Sequence, residues 1–323
     1  YTEYDKNGNH NPSFYEVEQD AVDTGNNAWV MIALLKLYQT TGDSKYLDTA
    51  RNVGNFIHSL RNDLSTADYK GFYGGIQNPE TSPIIRAYAS VEHSLDIAAA
   101  FTVMGTLTGE AQWQSDAIHA KEFVESMYDN SRGCYLAGTL ASSLTSPITR
   151  NLNQWQLPLD VQAWSILSLR SDIANRHTTL VNCAETNHRT SSDGLSGFDF
   201  NNDKDGVWFE GTGQMAVAYA FIQHGAEANA LRQTLRQVQA IGVFGEHKGL
   251  PAASHDGLST GFNTSIDSST CISDPKTCTF KYFRRQHVGA TAWNIFAQAG
   301  FNPYYDLGYF KCHKSLWKRM LWQ

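Results

Sequence analysis

The stretch DTGNNAWVMIALLKLYQTTGDSKYLDTARNVGNFIHSL, residues 23–60, decides the fold. In its first half Trp29, Val30, Met31, Ile32, Leu34, Leu35, Leu37 and Tyr38 leave almost no polar face. That pattern predicts a helix from about Asp23 to Gln39 that is buried on all sides. Thr41-Gly42-Asp43-Ser44 breaks the run and supplies a new N-cap. In the second half Tyr46, Ala50, Val53, Ile57 and Leu60 recur at spacings of three and four, while Lys45, Asp48, Arg51 and Asn52 face away. This half is amphipathic, with one side in a core and one in water. The unit is a buried helix, a tight turn and an amphipathic partner.

The unit recurs along the chain. Ser90 to about Leu107 is apolar, and Ala111 to about Tyr128 is its amphipathic partner. Asp160–Leu169 is apolar and is followed by the weakly patterned SDIANRHTTLVNCAETNH. Thr212–His224 pairs with a helix from Glu227 to about Ile241, and His287–Ala299 is apolar with no evident partner. The links within a unit are short (TGDS, TGEA, HGAE), whereas the returns at 62–88, 130–157, 190–210 and 242–286 are long. Loops of that length inside a compact domain are usually functional. Each hairpin runs up and back, so the long loops and the N-termini of all buried helices fall on one face. The expected architecture is an all-α toroid over residues 1–323, a single domain in which an outer ring of helices wraps an inner one around one decorated mouth.

Composition narrows the partners. Charged residues make up 18% and apolar residues 41% of the chain, and the net charge is -7 without a basic run or stripe, which argues against nucleic acid. No apolar run approaches the ~18 residues of a membrane span. The basic, aromatic end HKSLWKRMLWQ reads as a packed or frayed tail. Of five cysteines, Cys271 and Cys278 share one polar loop and are either a disulfide of an oxidising compartment or plain thiols. Residue 1 is Tyr, which fits a trimmed, secreted or periplasmic product slightly better than a cytoplasmic one. There is no zinc spacing, GxSxG elbow, phosphate loop or dinucleotide fingerprint, and no cofactor is expected. Asn201-Asn202-Asp203-Lys204-Asp205-Gly206 partly matches a calcium loop, but Thr212 stands where the bidentate Glu belongs.

The candidate chemistry lies at the starts of the buried helices. Asp23, Glu92, Asp160 and Glu210 come from four different hairpins, and Asp96 lies one turn further in. Helix N-termini carry partial positive charge and unpaired N–H groups, so acids there ionise readily or simply act as caps. Glu210 stands apart in GFDFNNDKDGVWFEGTGQMAVAYAF, residues 197–221, because Glu is a poor N-cap and is here flanked by Trp208, Phe209 and glycines. Cleavage of a glycosidic bond needs one protonated and one ionised carboxyl. Glu210 suits the proton donor, Asp23 or Asp160 the base, and Glu92 is a competing acid with His93 beside it to bind a hydroxyl. Asp205, Trp208, Tyr73, His255, Asp256, Arg284 and His287 are the further expected substrate contacts on the same face.

VDTGNNAWVMIALLKLYQTTGDSKYLDTARNVGNFI, DGVWFEGTGQMAVAY, ASHDGLSTGF and RRQHVGATAW resemble bacterial members of the six-hairpin glycosidase superfamily, the (α/α)6-type barrels, over about Val22 to Pro303. The resemblance implies a carbohydrate-active enzyme acting on an oligo- or polysaccharide, and hydrolases of this type invert configuration. It equally admits a sugar epimerase or a uronate lyase, with His93, His255 or His287 as acid or base and Arg284 or Arg285 gripping a carboxylate. A non-catalytic glycan- or protein-binding toroid, its acids serving as caps, is the reading from another class. Five inner helices are counted where such a barrel has six. The expectation is therefore a missing N-terminal hairpin, an incomplete ring or a misread segment.

Overall fold

The computed structural model describes residues 21–63, 69–77, 83–141, 150–241, 248–263 and 279–305. Its inner helices are α1 (Thr24–Thr41), α3 (Val91–Thr108), α5 (Leu159–Leu169), α7 (Phe209–Phe221) and α9 (Val288–Ala299). Their outer partners are α2 (Ser44–Ser59), α4 (Ala111–Ser126), α6 (His177–His188) and α8 (Gly225–Ile241). Each inner helix packs on the next in sequence and each outer helix on its own inner partner, as the alternation of patterns predicts. Gly42 and Gly109 end α1 and α3 with φ of 75° and 73°, left-handed positions that let the chain turn at once into the outer helix. The weakly patterned segment after α5 forms a 3-10 turn at Arg170–Arg176 and then α6. α7 begins three residues before the apolar run, because the Gly211 and Gly213 that thin the sequence there lie inside the helix.

The expectation that the first helix is buried all round is corrected. Val30 is 51% and Leu37 43% exposed on α1, and Val288 is 86% and Ile295 53% exposed on α9. Among the described residues α1 and α9 end the row of inner helices, so each has an inner neighbour on one side only. Their other sides meet through aromatic side chains, Trp29 against Trp293 with ring centroids 6.1 Å apart. Helices α3, α5 and α7, which have neighbours on both sides, are buried almost throughout.

The long returns form short antiparallel pairs on the mouth face. Ala21–Asp23 pairs with Gly75–Gln77, which pairs with Ile84–Arg86; Ala89–Ser90 pairs with Gly138–Ala141, which pairs with Arg150–Asn153. Leu258–Asn263 pairs with Thr279–Tyr282. Ala21–Asp23 and Ala89–Ser90 lead directly into α1 and α3 and fix where those helices begin. On the opposite face the chain beyond α9 crosses under the ring. There Asn302 Nδ2 donates to the Leu167 carbonyl at the end of α5, and Tyr304 rises into the centre. A disulfide, Cys134–Cys183, ties the return before α5 to α6. The sequence did not pair these two, and Cys271 and Cys278 lie outside the described residues.

Candidate active site

Glu92, Asp160 and Glu210 each occupy the second position of their inner helix, α3, α5 and α7 respectively. Three neighbouring helices in one register therefore present a carboxyl at the same height. Asp23 immediately precedes α1 and makes no side-chain cap bond; its carboxylate is ion-paired with Arg86 Nη1 at 2.6 Å. The caps are made instead by Ser90, whose hydroxyl accepts from His93 N, and by His287, whose Nδ1 accepts from Ala290 N. Asp160 accepts from the N–H of Val161 at 2.6 Å.

The acids share one electrostatic field. Burial holds the Glu92 carboxyl well above its usual range, and Asp160, Asp96, Glu210 and Asp23 push it further. Burial raises Asp160 to about 7. Glu210 is raised to about 8, first by burial and then by Asp160. At neutral pH Asp160 is thus the more readily ionised of this pair and Glu210 the more readily protonated, a separation of roles imposed by desolvation.

The contacts of Glu210 agree with a protonated carboxyl. Its Oε2 lies 3.4 Å from His287 Nδ1. That nitrogen already accepts the Ala290 N–H, and burial lowers the imidazole's pKa, so His287 is neutral with its proton on Nε2. The close pair is then an acid facing a lone pair rather than a salt bridge. Gln214 Nε2 approaches Glu210 Oε1 at 3.5 Å. The Glu210 carboxyl rests against Gly289 in the first turn of α9, where a Cβ would collide with it. His93 is held similarly against Gly25 of α1. Thr24 Oγ1 donates to the carbonyl of Tyr73 or Gly74 and therefore accepts from His93 Nδ1 at 3.1 Å, which leaves a lone pair on Nε2. Burial lowers His93 to about 4, so it is neutral.

One helical turn below the acids lies a second tier: Asp96 beneath Glu92, Trp164 beneath Asp160 and Gln214 beneath Glu210. Asp96 is 1% exposed and accepts from Tyr304 Oη at 2.7 Å and from Trp29. Trp164 stacks on Trp293 at 5.9 Å and meets Trp29 edge-on at 5.6 Å, so its ring packs against both end helices of the row. Tyr282 reaches the upper tier from the Thr279–Tyr282 ribbon, stacked on Trp208 at 5.5 Å and edge-on to His287 at 5.8 Å. Its phenol is held well up by burial and then by Glu210. Arg86, Trp164, Gln214 and Tyr304 were not singled out from sequence as members of this centre. Spacing of i, i+4 from each acid would have found Trp164 and Gln214; Arg86 and Tyr304 arrive from remote segments and had no signal.

The remaining expected contacts sit elsewhere. Trp208 is 2% exposed and packs beneath Phe200 and Tyr282 rather than lining the mouth. Tyr73 belongs to a small cluster with Leu60 and Ala87. Asp256 accepts from Arg284 N, Arg285 lies over Phe283, and His255 Nδ1 shares a bond with Ser254, all within the loop network. Asp205 accepts from Ser259 N. Among the described residues the three-carboxylate group whose oxygens lie within 4.8 Å is Asp199, Asp203 and Asp205, which extends the calcium-like loop upstream to Asp199. Loop N–H groups already donate to Asp199 and Asp203 as well as to Asp205, so the cluster is bonded by its own backbone.

No family model and no curated protein matches the chain in sequence. Solved structures do match in shape. A D-mannose isomerase aligns with TM-score 0.57 at 10% identity over 93% of this chain and 74% of its own. The family 76 α-mannanase BT2949 of Bacteroides thetaiotaomicron aligns with TM-score 0.53 at 12% identity over 96% and 97%. A family 76 glycoside hydrolase from a bovine strain of the same species aligns with TM-score 0.55 at 11% identity over 87% of this chain, which spans 56% of that protein's length. The chain shares its helical-hairpin barrel fold with these enzymes.

Proposed function

We propose that the chain is a carbohydrate-active enzyme, a glycoside hydrolase that inverts configuration, with Glu210 as general acid and Asp160 as general base. The observation that carries this reading is the placement of buried carboxyls at the second position of three adjacent inner helices, where burial raises Glu210 to about 8. In the reaction the Glu210 O–H protonates the glycosidic oxygen as the bond to the anomeric carbon breaks. Asp160 takes a proton from a water whose oxygen attacks that carbon from the other face. Solvent then returns the proton from Asp160 to Glu210. Glu92 and the Asp23–Arg86 pair bind the sugar's hydroxyls.

The charge pattern supports a neutral glycan. Arg86, the cation beside His93, is already paired with Asp23. A uronate entering this field would meet repulsion. The bare Nε2 of His93 supports a second reading, an isomerase or epimerase that abstracts a sugar proton; its pKa of about 4 makes it a weak base for that role. The test is product release from mannans, glucans and uronate polymers, with proton NMR of the first-formed anomer. Inverted product lost in both Glu210→Gln and Asp160→Asn supports the hydrolase. A rearranged monosaccharide, lost in His93→Asn, replaces it by the isomerase. Glycan bound without turnover leaves a binding module.

Gly289→Ala separates activity from folding. The added methyl must displace the Glu210 carboxyl, the flexible end of a side chain. Alanine also favours a helix over glycine by about 1 kcal/mol. The variant is expected to keep or slightly raise Tm while losing roughly 100-fold in kcat, the scale of an ångström's misplacement of a reacting group. Full activity would show that the carboxyl is not held where the reaction needs it.

A further inference from the structure

We propose that Trp164 and Gln214 form the hydroxyl-reading floor of the site, Trp164 Nε1 donating to and Gln214 Oε1 accepting from hydroxyl groups of one neutral sugar ring. The inference rests on the carbohydrate-active reading above and adds the residues that select the ring.

Both atoms are buried without a hydrogen-bond partner among the described residues. Gln214 is 0% and Trp164 5% exposed. A buried donor or acceptor left unpaired costs about 1–3 kcal/mol, so such atoms persist where something else satisfies them. These two stand on adjacent helices, α5 and α7, each one turn below a carboxyl of the upper tier. Trp164 packs among Trp29, Trp293 and Tyr304. Gln214 is oriented by its Nε2, which faces Glu210 and leaves Oε1 as the free acceptor.

The two atoms ask for opposite things. An indole N–H needs a lone pair and an amide oxygen needs a hydrogen. A hydroxyl supplies both at once. A carboxylate has no hydrogen for Gln214, and an ammonium has no lone pair for Trp164. The floor therefore discriminates by hydrogen-bond type as well as by charge, and the stacked indoles beside it offer an apolar plane for the ring's C–H face. Segment 301–304 closes the barrel beneath, with Tyr304 bonded to Asp96, so a ring reaching this depth ends there.

The experiment uses the whole chain labelled with nitrogen-15 at tryptophan. Its eight tryptophans give eight indole N–H signals, and the one absent from Trp164→Phe belongs to Trp164. Methyl α-D-mannoside, methyl β-D-glucoside and methyl β-D-galactoside are titrated in turn. At least one should move the Trp164 signal at saturation. In parallel Trp164→Phe and Gln214→Met should each raise KM for the cleaved glycan roughly tenfold, the cost of one unmet polar group. In Trp164→Phe kcat should stay within about a factor of two, whereas in Gln214→Met the alkaline limb of the pH profile should also shift through the contact with Glu210. A stationary Trp164 signal in a protein that binds or cleaves the sugar overturns the inference and leaves the proposed function standing. A wild type that neither binds nor cleaves any sugar removes both.

Discussion

Glu210→Gln is expected to lower kcat by roughly 1,000-fold, the scale of a lost general acid, and at the same time to make the protein more stable in alkali. The two effects share one cause. Burial raises the carboxyl from 4.5 to about 8 in the folded protein. Below pH 4.5 it is protonated in folded and unfolded chains alike, and it costs nothing. As pH rises, the unfolded chain releases a proton that the folded chain retains, so folded stability falls until the pH passes about 8. At 1.36 kcal/mol per pH unit the loss amounts to roughly 5 kcal/mol. The amide carries no such penalty. Thermal melts of wild type and variant should nearly coincide near pH 4 and separate by about 10 °C or more near pH 9, with the variant higher. Equal melts at both values would mean that Glu210 titrates normally and is not the proton donor. Gln keeps the volume of the side chain, so a simple packing loss would have the opposite sign at every pH.

Removing the Cys134–Cys183 bridge, by Cys134→Ala with Cys183→Ala or by reduction, is expected to lower Tm by roughly 10 °C. The two cysteines are 49 residues apart in sequence. Closing a loop of that length in the unfolded chain is worth roughly 4 kcal/mol in the chain-entropy description, and each kcal/mol corresponds to about 2–4 °C in a chain somewhat smaller than this one. The bridge ties the return before α5 to the outer helix, so its loss should also loosen the segment that delivers Asp160. Calorimetry with and without reductant, alongside thiol titration, reads the effect. An unchanged Tm with two additional free thiols would show that the bridge contributes nothing. Such bridges persist in oxidising compartments.

The hairpin barrel was legible because its two kinds of helix have different solvents. Residues 24–41 are apolar with little period and residues 44–59 are apolar every third or fourth position, so burial and half-burial are written into composition itself. Loop length then settled which end is the mouth, since short links at Gly42 and Gly109 alternate with long returns. The position of Asp23, Glu92, Asp160 and Glu210 at the starts of inner helices was legible for the same reason, although an acid there serves as a cap as readily as a reacting group.

What the sequence could not give was the environment of each group. Trp208 looked like a sugar platform, and the ribbon at 279–282 covers it. Val30 and Leu37 looked buried, and among the described residues their side of α1 has no inner helix packed along it. Cys134 found Cys183 because a ribbon and an outer helix meet, a contact 49 residues long that no local pattern announces. Local preference and hydrophobic period act over a few residues, and they determined the helices, their order and the face that carries the acids. Desolvation and hydrogen-bond pairing are properties of what surrounds a group after the chain has closed. Only the tertiary structure could therefore decide that burial raises the Glu210 carboxyl, that Asp23 is held by Arg86, and that Trp164 Nε1 and Gln214 Oε1 have no hydrogen-bond partner among the described residues.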